Sequence, residues 1–563
     1  MPPGLKNIAR ALKEAAQLAA QLAAQFAARG LGKALVPPAR ENLGVRSRAI
    51  SPMLCAGCGA AVSYYFLAPL FFSGRVSAGV FLAMVFAPVA TLCFFHALVS
   101  FPPAVSVDPR TLRALRTLPM LLAAFCAGFA LGISAGARAS SGLALGLPAE
   151  SAVGISGVLL DDPRLVAGGS AMATLSLRTV SGAGGARATA RGEITVFFRE
   201  ANAARLREFG RGTEVFADGR LQVSGAGAFG GSTNSYIFSA DSLHVTAVAG
   251  PLDRFRTSVR LALADRLVGG SGYSAGSAAS ESAWGGLALA LLLGVRDNLD
   301  SGLTALYRGA GISYILALSG MHLAVIIALV SFLLKKLLGL RLAAIAGAVI
   351  IIAYCFVIGP LPSLYRAALM YLLGVLAALG MLRRESLSIL SMAFLVQLAF
   401  MPRSGMSLSF VLSYLAMLGI LVLGKSLGGI FRGALPRFFL DPLALSVGAF
   451  VGTAWIVALV FGDLRPVGIF AGIIVAPLTT AFMVGAMIWL ALDAALPALS
   501  APIAWLLSLL YQAKEEIARL ASLFPSVSAS PRLVLLLSLL TFAFVLWLDF
   551  RLRAHRNRLE PFA

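Results

Sequence analysis

Residues 311–334 read Gly-Ile-Ser-Tyr-Ile-Leu-Ala-Leu-Ser-Gly-Met-His-Leu-Ala-Val-Ile-Ile-Ala-Leu-Val-Ser-Phe-Leu-Leu. No residue in this run carries a fixed charge, and it is followed at once by Lys335 and Lys336. A helix needs about 20 apolar residues to cross a bilayer, so this stretch predicts a membrane span closed by a basic loop. Similar apolar runs follow at roughly 342–358, 364–381, 387–400, 407–423, 442–460, 467–490, 500–512 and 532–549, of which 387–400 and 500–512 are short. Three more precede it, at roughly 53–72, 77–100 and 118–137.

The composition of the 563 residues agrees. Hydrophobic residues make up 59% and charged ones only 13%. Soluble domains run near 25% charged, so the whole chain cannot be a soluble enzyme, a disordered protein, a collagen or a coiled coil. The expected fold class is a polytopic α-helical membrane protein of about 12 spans with one exported small β domain. Trp284–Gly294 is apolar but too short to cross, and reads as a re-entrant or interfacial helix.

The net charge of +21 lies where membrane topology wants it, because Lys and Arg collect in cytoplasmic loops. Arg40, Arg46 and Arg48 precede the first span, and Arg110, Arg113 and Arg116 lie between the second and third. Lys335, Lys336, Arg341, Arg383, Arg384, Lys425, Arg432, Arg437 and the tail Arg551, Arg553, Arg556 and Arg558 all fall on the same side if Trp284–Gly294 does not cross. This parity predicts a cytoplasmic-membrane protein with both termini inside.

Residues 1–50 form a basic segment with Leu5, Ile8, Leu12, Ala15, Ala19, Leu22 and Phe26 on one helical stripe, and no signal peptide is expected there. Residues 51–137 hold the first three spans, 138–268 an exported β domain, 269–282 a Ser/Gly/Ala-rich linker, 283–550 the main membrane domain and 551–563 a basic tail. Within 138–282, short alternating runs (Gly154–Leu160, Ala171–Val180, Glu193–Phe198, Glu214–Val223, Ser235–Val248) are separated by turn residues. Five short strands suit an OB-like barrel, a fold that binds oligonucleotides or sugars in many proteins. The region carries 14 Arg, no Lys and 12 acidic residues, a net of only +2. DNA contact by this barrel and a scaffolding role both stay open. No cysteine lies between 138 and 282, so no disulfide framework is expected; Cys55 and Cys58 read as small packing residues.

Three motifs stand out. In Ala317–His322, Ser319 and Gly320 interrupt an apolar helix about nine residues in, which reads as a kink near mid-bilayer. His322 beside it is costly in lipid and marks an interior functional position, or a small-residue helix contact with a hydrogen-bonded histidine. In Gly359–Ala367, Ser363 follows two prolines as a prospective N-cap and Arg366 falls in the first helical turn. There the macrodipole is already positive. Ser363 and Arg366 therefore read as an anion site suited to phosphate, or Arg366 as a residue snorkelling to the surface. The third motif, Gly419–Ser426, spells G-x-x-x-x-G-K-S, but Ile420-Leu421-Val422-Leu423 fills its middle at the end of a membrane helix. A P-loop needs a strand, a flexible loop and a helix, so nucleotide binding is not expected and Lys425 reads as a positive-inside anchor. The four histidines form no metal-ligand spacing; no metal, no cofactor and no catalytic residues are expected.

These motifs, taken in order, resemble the ComEC competence-protein family, the membrane channel for DNA in natural transformation. GISYILALSGMH (311–322), PSLYRAALM (362–370), FVLSYLAMLGI (410–420) and AGIIVAPL (471–478) are similar to its blocks, and GTEVFADGRLQV (212–223) looks like its OB-type segment. Val411 stands where the family usually has Gln, and Gly472 where it usually has Asn. The resemblance implies passage of single-stranded DNA through the inner membrane, not an enzyme activity. Ser319, Gly320, His322, Ser363 and Arg366 would then be DNA-path or structural-core positions. It implies as partners a cytoplasmic helicase-like motor and a periplasmic DNA-delivery protein, beside the lipid bilayer and a possible second copy of the chain. The family's long form carries a C-terminal metallo-β-lactamase-like domain, which is not expected here. A small-solute secondary transporter with a broken-helix site, and a membrane-embedded enzyme or assembly scaffold, stay open as rivals. Asp493 is the one clear carboxylate a membrane enzyme could use.

Overall fold

The structure, a computed structural model, describes residues 52–67, 109–140, 283–380, 385–432 and 436–559, and within 143–268 all but 149–150, 166–169, 200–205, 207–208 and 225–234. The segment 1–50, the span expected at 77–100 and the linker 269–282 lie outside the described residues. The described residues fall into two compact units. One draws on Arg40–Thr257 and Leu369–Val411, the other on Ser258–Ala368 and Leu412–Ala563.

The first unit contains the β domain. Five strands, β1 (Ala152–Leu159), β2 (Ala171–Gly182), β3 (Glu193–Phe198), β4 (Glu214–Ser224) and β5 (Ser235–Ala240), close on themselves in the order β1-β2-β3-β5-β4-β1. All pairs are antiparallel except β3 with β5. This is a five-stranded Greek-key closure of the OB type. Alternation drives it: Leu175, Leu177, Ile194, Val196 and Phe198 point inward with Ile155, Leu159, Val215, Ala217 and Phe238. Each large side chain buried this way contributes about 1.5–3 kcal/mol. Four shorter strands decorate the barrel, and the run expected at 235–248 divides into β5 and His244–Ala247.

Helices of the same unit are α1 (Pro52–Val62), continued by a π turn at Ser63–Leu67, and α2 (Pro109–Ser140). A Cβ on Gly59, Gly128 or Gly132 would run into the other helix's backbone, so α1 and α2 touch through glycine as small-residue membrane helices do. Tyr64 and Tyr65 donate to the carbonyls of Pro402 and Gly405, and Arg403 pairs with Glu193 of β3 at 2.6 Å.

After the barrel come α3 (Pro251–Val268), α4 (Ala283–Leu293), α5 (Ser301–Gly309), α6 (Gly320–Gly339), α7 (Arg341–Ile358), α8 (Pro362–Leu379), α9 (Ser386–Phe400), α10 (Leu408–Ile430), α11 (Arg437–Phe461), α12 (Val467–Ala495), α13 (Ala501–Ser522) and α14 (Pro531–Leu559). Seven of them, α6, α7, α8, α10, α11, α12 and α14 (through Leu552), are long and apolar enough to cross a membrane. Ala123–Ala139 of α2, Trp284–Leu293 of α4 and α9 are shorter apolar helices. The count of about 12 spans therefore stands at seven long apolar helices among the described residues.

Three local expectations change. The stretch 311–334 is not one helix with a kink. A 3-10 turn covers Ser313–Ile315, the chain is non-helical at Leu318–Ser319, and α6 begins at Gly320 with Ser319 as an extended N-cap. The break between α6 and α7 lies instead at Gly339 (φ 72°), a backbone conformation that favours glycine. Helix α4 is not interfacial, because every residue from Trp284 to Leu293 is buried, as befits a helix apolar on all sides. The span expected at 500–512 is the first half of α13, whose second half carries Lys514, Glu515, Glu516 and Arg519.

Candidate functional site

Two helix starts meet in the second unit. At the first, Ser319 caps α6 while the ring of His322, one turn in, swings back so that Nδ1 accepts the Ser319 backbone N–H at 3.0 Å. At the second, α8 begins at Pro362, where a missing N–H costs nothing. Ser363 is thus inside the helix and not its N-cap. Its hydroxyl donates to the carbonyl of Leu318 at 2.7 Å, tying the start of α8 to the residue before Ser319. Gly320 makes the approach possible: a Cβ there would lie 3.1 Å from Arg366 Nη2 and 3.2 Å from Ala367 Cβ.

Arg366 is only 6% exposed, so it does not snorkel. Its Nη1 donates to the Ser413 carbonyl of α10 at 2.9 Å, and its guanidinium carbon stands 6.0 Å from the centre of the Tyr414 ring. Its Nε has no hydrogen-bond partner. Among the described residues, none of the ion pairs found includes Arg366. The five residues singled out from the sequence, Ser319, Gly320, His322, Ser363 and Arg366, therefore gather around two facing helix N-termini.

The sequence reading missed Lys514. In the string Tyr511-Gln512-Ala513-Lys514-Glu515-Glu516 it looks like part of a solvated charged face. The side chain is 1% exposed, its Nζ lies 3.6 Å from the centroid of the Phe482 ring of α12, and it has no hydrogen-bond partner. His322 Nε2 is likewise buried without a hydrogen-bond partner. The signal was present in the helical period: Leu507, Leu510, Tyr511, Lys514, Ala518 and Ala521 form the buried stripe of α13, and Lys514 is the polar member of it. Further along α13, Tyr511 and Glu515 stand near Tyr307 of α5. Burial first, then those two neighbours, pushes the Tyr307 hydroxyl above its ordinary range.

Helix α12 bends its own rules beside Phe482. Pro477 removes one helical N–H, and the hydroxyls of Thr479 and Thr480 donate to the carbonyls of Val475 and Ala476, at 2.8 and 3.1 Å. Both are i to i−4 bonds back onto the helix's own carbonyls beside the proline. A Cβ on Gly472 would strike the Tyr314 hydroxyl, so a side chain at 472 and this placement of Tyr314 exclude each other. Asp493, at the end of α12, lies 3.7 Å from Arg266.

Gly419–Ser426 is helical throughout. Ile420–Gly424 forms a π turn inside α10, with no strand before it. The glycines that mimic a phosphate loop serve packing. A Cβ on Gly448 of α11 would fall 2.7 Å from the Gly419 carbonyl and 2.9 Å from the Gly424 nitrogen, and one on Gly452 would fall 2.7 Å from the Leu415 carbonyl. Lys425 itself is exposed.

Residues 291–553, which hold every residue of this site, match the family described as Competence protein. This region is similar to the competence-protein family. An uncharacterized protein of Aquifex aeolicus (strain VF5) is 30% identical over 198 residues, 35% of this chain and 45% of that protein. The chain thus spans less than half the length of the curated relative it matches. The long apolar helices and the barrel together make this a membrane protein with a small OB-like domain.

Proposed function

We propose that this chain passes single-stranded DNA across the cytoplasmic membrane during natural transformation, with the barrel on the outer side and both termini inside. The observation that carries the reading is Arg366, a cation buried in a membrane helix of the competence region and answered by a backbone carbonyl in place of a carboxylate. A buried charge is normally paired, and breaking such a pair costs about 3–5 kcal/mol. Leaving one free of a counter-charge is sensible where a polyanion is the intended counter-charge. The path contains Ser319, Gly320, His322, Ser363 and Arg366. The helical Gly419–Ser426 leaves no phosphate loop to bind a nucleotide there, so the driving force comes from a cytoplasmic helicase-like motor. Capture outside the membrane belongs to a periplasmic DNA-delivery protein. The chain acts as a conduit and not as an enzyme.

The test follows labelled DNA into a deletion strain. DNA should reach the periplasm and stop there, and re-expression should restore its entry into the cytoplasm. Normal cytoplasmic entry in the deletion strain would remove the reading.

A further inference from the structure

Alternation along β4 turns Val215 and Ala217 into the barrel core and Phe216, between them, outward, where it is half-buried. Where β1 lies between β2 and β4, the ladder sets Thr179, Ser156 and Phe216 side by side in one row. His244 of the short strand next to β4 stands opposite Phe216 on its other side, and is exposed. Side chains opposed in this way are about 4.5–5.5 Å apart at Cβ, and the Ser156 and Thr179 hydroxyls hydrogen-bond each other at 2.8 Å. In the neighbouring row Gly154 opposes Asp218. The missing side chain leaves room for the ring to reach across: a Cβ on Gly154 would lie 3.0 Å from Phe216 Cζ and 2.9 Å from Asp218 Oδ1. Ring and carboxylate thus meet over one glycine. Asp218 Oδ2 accepts the Ser242 hydroxyl at 3.0 Å. In the row on the far side of Phe216, one Arg178 nitrogen donates to both carboxylate oxygens of Glu214, at 3.0 Å each.

We propose that this face of the barrel binds a neutral pyranose glycan, with the Phe216 ring stacked on the C–H side of one sugar and Asp218 and the Ser156–Thr179 hydroxyl pair bonded to its hydroxyls. The chemistry gathered there selects the occupant. Strand β1 is paired on both sides, so no backbone is open for a peptide to add as a further strand. A nucleic-acid strand needs cations for its phosphates. Here the carboxylates of Glu214 and Asp218 flank the ring, Arg178 is taken by Glu214, and the exposed Arg220, the next outward residue of β4, only balances the charge. A sugar finds what it needs: an aromatic ring whose negative face meets polarised C–H groups, and carboxylate and hydroxyl oxygens that accept from its O–H groups. Five-stranded barrels of this type hold oligosaccharides as well as oligonucleotides. Nothing in this face depends on the conduit reading.

The full-length protein is placed in nanodiscs of zwitterionic lipid, and binding of a fluorescent N-acetylglucosamine oligomer is read by anisotropy, beside single-stranded oligothymidylate. Wild type should bind the sugar with an affinity that does not fall as salt is raised, because no ion pair holds it. Phe216→Ala should weaken binding about tenfold, the order of a lost aromatic contact, and Phe216→Tyr should bring it back to within about twofold. Asp218→Asn, which keeps the shape and loses the charge, should weaken binding about threefold, since hydrogen bonds to a charged acceptor are the stronger ones. Phe216 is not among the buried core residues, so Phe216→Ala should keep the wild-type resistance of residues 152–240 to proteolysis. If that variant is cut early, the Asp218→Asn result, with the ring in place, decides. Absence of sugar binding by wild type, or equal sugar binding by wild type, Phe216→Ala and Asp218→Asn, overturns the proposal. Salt-sensitive binding of oligothymidylate alone, lost in Phe216→Ala, overturns it too and makes the ring a platform for bases. The conduit reading fails separately, by normal DNA entry in the deletion strain.

Discussion

The barrel unit and the competence unit treat buried charge in opposite ways. In the barrel unit, Arg256 of α3 is 1% exposed, and both its terminal nitrogens are taken by Asp162, at 2.8 and 2.6 Å. Asp162 also accepts the Arg211 N–H, while its neighbour Asp161 accepts the backbone N–H and hydroxyl of Thr174. That is a closed account of charge, of the kind a structural ion pair needs. In the competence unit, Arg366 reaches a carbonyl and Lys514 a ring, and no carboxylate pairs with either among the described residues. Among the described residues, then, the first arrangement is closed and the second open.

The sharpest way to break the comparison is to open the closed side. Arg256→Met removes the partner of Asp162 and leaves a half-buried carboxylate. The barrel should lose about 3–5 kcal/mol of stability, read as earlier proteolysis between 152 and 240 in membranes, while the helices from α6 onward stay protected. Wild-type resistance would mean that the pair is incidental and the contrast between the two regions is false.

On the open side the effect should fall on function before stability. Arg366→Lys keeps the charge but loses the planar fork that spans Ser413 and the Tyr414 ring, and Lys does not reproduce that geometry. DNA entry into the cytoplasm should drop about tenfold at equal membrane levels, and Arg366→Ala should be at least as impaired, with capture at the cell surface unchanged for both. Transformation at the wild-type rate by a stably inserted Arg366→Ala would make the arginine purely architectural.

How much of this was readable beforehand depends on whether a signal is periodic or relational. The barrel strands followed from alternation, and their ring closure fits the OB-like expectation. The seven long helices followed from apolar length. The gathering of Ser319, Gly320, His322, Ser363 and Arg366 was hinted at because each is anomalous in its own segment. What escaped was relational. Ser319–Gly320 reads as a kink because a capping ring at His322 cannot be told from an interruption without the backbone. Helix α4 reads as re-entrant or interfacial because length alone cannot say that protein surrounds it. Lys514 was invisible because its neighbours Glu515 and Glu516 make the string look solvated, and only helical phase puts it on the buried stripe.

A smaller, positional test concerns the sides of the membrane. The basic-loop parity expects Asp241→Cys, exposed at the barrel edge, to react with an impermeant thiol reagent in intact spheroplasts. Glu385→Cys, exposed at the start of α9 beside Arg383 and Arg384, should react only after lysis. Labelling of Glu385→Cys in intact cells would invert the loops and place the basic clusters outside.

The smallest effect is expected at Lys425, and its smallness is informative. The motif Gly419–Ser426 matches a nucleotide-binding loop letter for letter. A phosphate loop works by turning successive backbone N–H groups toward the ligand, and in this chain those groups are spent inside α10. Lys425→Ala should therefore leave DNA entry within about twofold of wild type, since an exposed lysine on the helix surface contributes only modest interfacial energy. The glycines of the same motif should behave oppositely. A side chain at Gly448, the residue opposing them, would collide with the Gly419 carbonyl and the Gly424 nitrogen, so Gly448→Val should force α10 and α11 apart and lower the amount of inserted protein. A true phosphate loop would give the reverse order: a lysine that cannot be replaced and a neighbouring helix that can. Measuring both variants for membrane level and for DNA entry distinguishes the two, and a stable Lys425→Ala that blocks entry would mean that the charge on α10 takes part in transport after all.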